Sequence, residues 1–378
     1  MKELLLTICL CYLGYSVFAK DSKSNLNLIM VNRSPKTQQL WEKLYHISYH
    51  TPESKTILGL QNAYVEGKNW ITNFNNPPTP LLPTSDVEKI SQHKIKLVGY
   101  DFDEIGQWNE KHIREWIKEH DRLGGITTLS WHMKNPTFGH ATNSSHYTSP
   151  MAIRNIFTNL NIQQKFNDEL NRLVKFLQQL SDIPIIFRPF HEHNENWFWW
   201  GKENNDVYWY KHLWQYTIDY LRANHINNIL IAYSPNKITT DYLERYPGHD
   251  YVDILGTDYY FTTDHLGYEL EQWKEDVLTL QRYAKNFNKI PAITEFGNEG
   301  ILLSNFWTDY LAWPIQKEGI KQLLDIKKTQ HDPINFAYVM LWRNAFEREN
   351  HFFAPYPGHP QNYNFFQLLN KNFLIFIP

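Results

Sequence analysis

Cysteine is nearly absent: the only two, Cys9 and Cys11, fall within the first eleven residues. That stretch reads as a signal peptide, with Lys2 at its start, a mostly apolar run from Leu4 to Leu13, and Val17-Phe18-Ala19 before a cut near Ala19. Neither cysteine follows the small residue that a lipid-attachment site wants. After cleavage the chain would hold no thiol, which excludes a disulfide framework, a thiolate metal site and a cysteine nucleophile. A charge excess is also lacking. With 37 basic and 40 acidic residues the formal charge is −3, so no electrostatic footprint for nucleic acid or an anionic membrane exists. No apolar run approaches the roughly 20 residues of a spanning helix. Three chemical signatures are missing as well. Leu58-Gly59-Leu60-Gln61 offers no glycine-rich dinucleotide turn, no Gly-x-Ser-x-Gly elbow occurs, and the histidines of His191-Glu192-His193 are two apart instead of the four of a zincin helix. No metal or other cofactor is therefore expected.

What the chain does contain is alternation. Eight short, β-rich apolar runs recur, at 56–61, 95–102, 125–132, 184–191, 228–234, 252–260, 290–296 and 335–343. Helical patterns separate most of them. Residues 108–123 place Ile113, Trp116, Ile117 and His120 on one stripe and stop at Gly124-Gly125, and 166–180 repeat the period with Leu170, Leu173, Val174 and Leu177. Residues 208–221 and 319–326 do so less cleanly. Strands alternating with helices imply parallel pairing with both faces covered, and eight such units close into a (β/α)8 TIM barrel. Two segments interrupt the alternation. The Pro- and Asn-rich stretch 73–87 reads as a surface loop, and 140–156 as a long insertion after the third strand. The apolar tail Phe373–Ile377 is expected to pack on the barrel. No repeat or linker divides residues 20–378, which read as a single catalytic domain and a monomer.

The polar residues collect at the C-terminal ends of the runs. Strand two ends in Tyr100-Asp101, strand three in Trp131-His132, strand four in Arg188-Pro189-Phe190-His191-Glu192. Strand six ends in Asp258-Tyr259-Tyr260, strand seven in Thr294-Glu295-Phe296-Gly297, and strand eight in Trp342-Arg343-Asn344. A barrel enzyme does its chemistry at this rim. A lone strand-end glutamate is as often a structural salt bridge, but Glu192 and Glu295 end strands on opposite sides of the mouth. Glycoside hydrolysis needs such a pair, one carboxyl to protonate the leaving oxygen and one carboxylate to attack the anomeric carbon. Aromatic residues make up 16% of the chain, many beside polar ones, which suits sugar rings whose C–H faces stack on an aromatic face.

The run Arg188–Gly201, RPFHEHNENWFWWG, resembles glycoside hydrolase family 26, whose best-known members are endo-β-1,4-mannanases. Trp131-His132, Gly256–Tyr260 (G-x-D-x-Y), Thr294–Gly297 (TEFG) and Leu341–Ala345 (LWRNA) follow in family order, so the likeness spans nearly all of the expected mature chain. It implies a retaining enzyme with Glu192 as acid/base and Glu295 as nucleophile. By the same likeness His191 reaches the sugar being cut and the nucleophile, Tyr260 hydrogen-bonds the nucleophile, Trp197 stacks on the leaving-side sugar and Trp342 lies under the sugar being cut. His132 and Arg343 resemble contacts on the non-reducing side, Asp101 joins the substrate contacts, and Arg188 is expected beneath the site. Two positions depart from the pattern: many relatives carry Gly where Glu195 stands and His where Leu60 stands. The expected partner is a β-mannan polysaccharide, met outside the cytoplasm. Some relatives cleave mixed-linkage β-glucan or β-1,3-xylan instead, and a barrel that binds polysaccharide without cutting it is the reading furthest from an intact carboxylate pair.

Overall fold

A computed structural model describes residues 33–75, 82–138, 144–263, 266–326 and 333–378. The expected signal peptide and both cysteines lie outside them. Eight parallel strands form the core: β1 (Thr56–Gln61), β2 (Leu97–Asp101), β3 (Ile126–Ser130), β4 (Ile185–Arg188), β5 (Ile229–Tyr233), β6 (Ile254–Phe261), β7 (Ile290–Asn298) and β8 (Tyr338–Leu341). Each pairs with the next, and β8 pairs back onto β1 through Ile57↔Tyr338 to Leu60↔Leu341, so the sheet closes. All eight expected runs are strands, trimmed by up to three residues at their ends, except that β6 and β7 run on to Phe261 and Asn298. Nearly every strand residue is buried, as a sheet covered on both faces requires.

The long helices of the outer layer are α1 (Pro35–Tyr49), α2 (Glu110–Arg122), α3 (Leu160–Gln178), α4 (Val207–Ala223), α5 (Leu266–Phe287), α6 (Lys317–Ile326) and α7 (Asn362–Asn370). The stripe expected for α2 is the buried one: Ile113, Trp116, Ile117 and His120. Helix α1 departs from the sequence reading, which has no element before β1. Ser34 caps it by accepting the Thr37 N–H, Pro35 occupies its first turn, and Leu40, Leu44 and Ile47 form its apolar stripe. That stripe packs on Ile57, Leu97, Ile126, Ile186, Leu230, Ile254 and Ile290, which lie at or near the N-terminal ends of seven strands, so α1 closes the base of the barrel. The tail packs as expected. Leu374–Ile375 pairs with the start of β1, and Ile377 bridges to Lys94.

The stretch read as a loop to residue 87 ends sooner, in a short helix over Asp86–Ser91. Ser85 accepts the Glu88 N–H at 3.2 Å while the Glu88 carboxylate accepts the Ser85 N–H at 2.9 Å, a reciprocal cap that starts a helix where composition suggested none. Residues 76–81 of that stretch lie outside the described residues. So do 139–143 of the insertion after β3, which ends in a helix over Ala152–Thr158.

One irregularity bears on the site. Between Ile293 and Phe296, β7 spends three residues where β8 spends two, and the β6 register shifts at the same level, from Thr257↔Ile293 to Asp258↔Glu295. The extra residue is a β-bulge. It changes which face the following side chains take, a device that recurs beside active sites.

Candidate active site

Glu192 and Glu295 meet across the mouth of the barrel. One carboxylate oxygen from each, together with one from Asp258, lie within 4.8 Å of one another. Arg188, the last residue of β4, is the cation among them. It is fully buried, pairs through one nitrogen with Glu295, and through the other donates to Asp258 at 2.8 Å and to the Ser234 hydroxyl at 3.2 Å. Asp258 is completely enclosed, and burial pushes its carboxyl well above the usual range despite Arg188. The sequence reading gave Asp258 no role. It stands opposite Glu295 only because of the bulge, a relation that no residue pattern announces.

The second oxygen of Glu295 accepts from the Tyr260 hydroxyl at 2.5 Å. Tyr259, one residue earlier, points the other way and packs on Trp273 with ring centroids 4.4 Å apart. Both oxygens of Glu295 are thus oriented, and Glu295 is almost wholly buried.

Glu192 is held differently. The chain leaving β4 places Phe190 at φ 46° and Glu192 at φ 52°, left-handed backbone that costs a side-chain-bearing residue roughly 1–2 kcal/mol. Surrounding bonds hold it there. The Glu192 N–H reaches the Ser234 carbonyl at 2.8 Å, the Tyr210 hydroxyl donates to the Phe190 carbonyl at 3.0 Å, and the Trp200 indole donates to the His191 carbonyl at 2.8 Å. Of the tryptophans in this run, Trp199 and Trp200 are buried and brace the loop, whereas Trp197 is 38% exposed and donates its indole N–H to Glu192 at 2.9 Å. Burial, and then the nearby Glu295, push the Glu192 carboxyl up to about 8 against the smaller lowering effect of Trp197 and Arg188.

His191 lies beside this carboxyl, buried, its ring 4.7 Å from that of His132 and edge-on to it. Burial, Arg188 and His132 hold it well below the usual imidazole range, so His191 is neutral. His132 is the opposite case. Burial disfavours its charge, but the Asp101 carboxylate, 2.8 Å from Nδ1, outweighs that and pushes it up to about 9. Asp101, expected among the substrate contacts, lines the cleft beyond His132, and its carboxylate also bonds within the protein. One oxygen accepts from Ser130, the His132 N–H and the His132 ring, and the other from the Asp103 and Glu104 N–H groups. These bonds fix the orientation of the His132 ring.

Beyond His132 a cleft of about 560 Å³ opens between the loops after β2, β3 and β8, and Trp342 and Arg343 form part of its wall. The expected insertion contributes Ser144, Ser145 and His146 to it. Arg343 is clamped: Glu66 accepts from it at 2.6 Å and Glu347 at 2.8 Å. The two departures from the family pattern fall apart in space. Leu60 is an ordinary buried strand residue, whereas Glu195 lies at the mouth and accepts from Asn236 at 2.9 Å. No helix among the described residues is long and apolar enough to cross a membrane.

Against known proteins, the sequence profile of glycosyl hydrolase family 26 matches residues 94–312, more than half the chain. A mannan endo-1,4-beta-mannosidase of Bifidobacterium adolescentis is 37% identical over 206 residues, 51% of this chain and 20% of that protein. A mannan endo-1,4-beta-mannosidase of Bacillus subtilis is 33% identical over 151 residues, 36% of this chain and 41% of that one. The aligned stretches thus span well under half of these curated relatives. Among solved structures, a beta-mannanase of this family from Bacteroides ovatus is similar over 91% of this chain and 96% of its own, at 30% identity and a TM-score of 0.76. The closed eight-stranded barrel and the profile match agree, and the chain belongs to glycosyl hydrolase family 26.

Proposed function

We propose that this enzyme is a retaining β-mannanase that cleaves β-1,4-mannosidic linkages in mannans, glucomannans or galactomannans by double displacement. The observation that carries the reading is the approach of Glu192 and Glu295 to within 4.8 Å. Retaining glycosidases hold their carboxyl groups about 5–5.5 Å apart, whereas inverting enzymes leave room for a water between them. Glu192, pushed up to about 8, keeps its proton at neutral pH and donates it to the leaving oxygen. Glu295, oriented by Arg188 and Tyr260, attacks the anomeric carbon and forms the glycosyl-enzyme. The Glu192 carboxylate then takes a proton from the water that releases the sugar.

Trp197 is the stacking platform on the leaving side and Trp342 the floor beneath the sugar being cut, with His191 bonding its hydroxyls. His132, held by Asp101, and Arg343, held by Glu66 and Glu347, contact the sugars on the non-reducing side. The names of the curated relatives and of the B. ovatus structure support mannan as the substrate. Residues 1–19 act as a signal peptide, and residues 20–378 as a single secreted, monomeric catalytic domain. Reducing-sugar release from mannan, galactomannan, mixed-linkage β-glucan and β-1,3-xylan tests the substrate; cleavage of a glucan or xylan with mannan untouched would overturn it. A proton NMR time course tests the stereochemistry, with the β-anomer expected first. N-terminal sequencing of secreted protein tests the cut at Ala19.

A further inference from the structure

Far from the catalytic mouth, the base of the barrel brings two lysines together with no acceptor between them. Lys36, Gln39 and Lys43 share one face of α1 and wall a pocket of about 300 Å³, with Gly124, Ile126 and Pro184 on its other side. Ile126 begins β3 and Pro184 precedes β4, so the pocket lies at the opposite end of the strands from Glu192 and Glu295. Lys96, the residue before β2, reaches the same place. It is only 5% exposed, and its ammonium lies 3.7 Å from where a Cβ on Gly124 would stand. Its hydrogen-bonding neighbour is the Lys43 side chain.

Two ammonium groups can only donate, so neither satisfies the other, and their charges repel. Among the described residues no carboxylate, carbonyl or hydroxyl accepts from Lys96 or Lys43. The carboxylate on the pocket wall, Asp121, is paired with Lys36 at 3.4 Å, and its other charged neighbour is Asp182 instead of either lysine. Burial, and then Lys43, push the Lys96 ammonium down to about 8. A tetrahedral oxyanion set between the two groups would accept from both, replacing a repulsion with two charge-assisted hydrogen bonds.

We propose that Lys43 and Lys96 form an anion-binding site at the base of the barrel for an oxyanion of the phosphate class, held between the two ammonium groups with the Gln39 amide beside it. The site joins two parts of the fold, since Lys43 belongs to α1 and Lys96 to the barrel. An anion there ties the helix to the strands that it covers. Its binding therefore registers as stability, at a distance from the chemistry, and holds whichever bond the enzyme cuts.

Thermal melts of the whole chain in increasing inorganic phosphate test the site, near neutral pH and with sodium chloride holding the ionic strength constant. The wild-type Tm should climb by a few degrees along a saturating curve, because a ligand that binds only the folded state stabilises it by mass action. Lys43→Gln, at an exposed position, and Lys96→Met, which keeps the stem and loses the charge, should each lose most of that rise. Lys111→Gln, an exposed lysine at the other end of α2 from Gly124, should keep it. Where Lys96→Met does not fold, Lys43→Gln carries the comparison by itself. Glycerol 3-phosphate in place of inorganic phosphate separates the sources: a rise as large means that the pocket admits an esterified phosphate, and no rise means that it takes the free ion, either of which accords with the site. No rise with inorganic phosphate in the wild type, a rise that never saturates, or an equal rise in Lys43→Gln overturns the proposal.

Discussion

The Trp197 indole N–H and the Glu192 carboxyl are joined by a 2.9 Å hydrogen bond, so the one exposed ring of the tryptophan run also touches the proton donor. Removing the bond and removing the ring are separable. Trp197→Phe keeps an aromatic face but deletes a donor that lowers the Glu192 pKa, so the alkaline limb of kcat/KM should move to higher pH. Trp197→Ala should in addition lower kcat/KM on polysaccharide ten-fold or more, equivalent to about 1.4 kcal/mol, without a comparable fall in Tm. A large fall in Tm with per-molecule activity retained would show the ring to be a brace.

For the wild type, activity should decline as pH rises through about 8. The group concerned is an acid that must be protonated to work, and the Glu192 value marks where that form is lost. A pH–rate profile of kcat/KM measures it, and an alkaline limb that persists unchanged in Glu192→Gln on activated substrates would assign it elsewhere.

The two catalytic glutamates should differ in how they fail. Glu295→Ala leaves nothing to attack the sugar and should be inactive on every substrate. Glu192→Ala should lose polysaccharide but still release an activated phenol in the first step, because such a leaving group needs no proton. A stopped-flow burst of aryl alcohol from Glu192→Ala is the expected observation.

Tyr260→Phe removes one hydrogen bond to a charged carboxylate, a class of interaction worth about 1.5–3 kcal/mol. It should lower kcat roughly ten- to hundred-fold at little cost in Tm. Tyr259→Phe, one residue away but packed on Trp273, should leave kcat much less affected. Reversed results would mean that the strand is out of phase with the bonding described.

Stability should carry the same signature as activity. Glu192 has a folded pKa near 8 and an unfolded pKa near 4.5, so the folded state keeps a proton that the unfolded chain releases between those values. Its contribution is most favourable below about pH 4.5 and is lost as pH rises toward 8. Glu192→Gln, which does not titrate and can still accept from Trp197, should raise Tm at pH 7–8 more than at pH 4.5. Thermal melts at the two pH values decide it.

The barrel was legible because parallel strands buried on both faces are written as short apolar runs, and the strand-end polar groups stand out at their termini. Helix α1 was not. Its stripe of Leu40, Leu44 and Ile47 is interleaved with Trp41, Tyr45 and His46, and no run read from the sequence as a strand precedes it to mark a repeating unit. Trp197 and Trp199 look alike in sequence, and only the packing separates the exposed ring from the buried brace. The bulge in β7 is hidden for a deeper reason. Register is set by two neighbouring strands far away in the chain, so the pairing of Glu295 with Asp258 has no local trace.

Helix α1 also sets an order of events. It leaves the ribosome before the eight barrel strands, yet its docking surface is assembled from residues as far along the chain as Met340. Until those strands have closed, the stripe of Leu40, Leu44 and Ile47 has no complete surface to cover. A helix made early therefore finds its full seat late, and its apolar face stays available to chaperones or to aggregation until the eighth strand has been made.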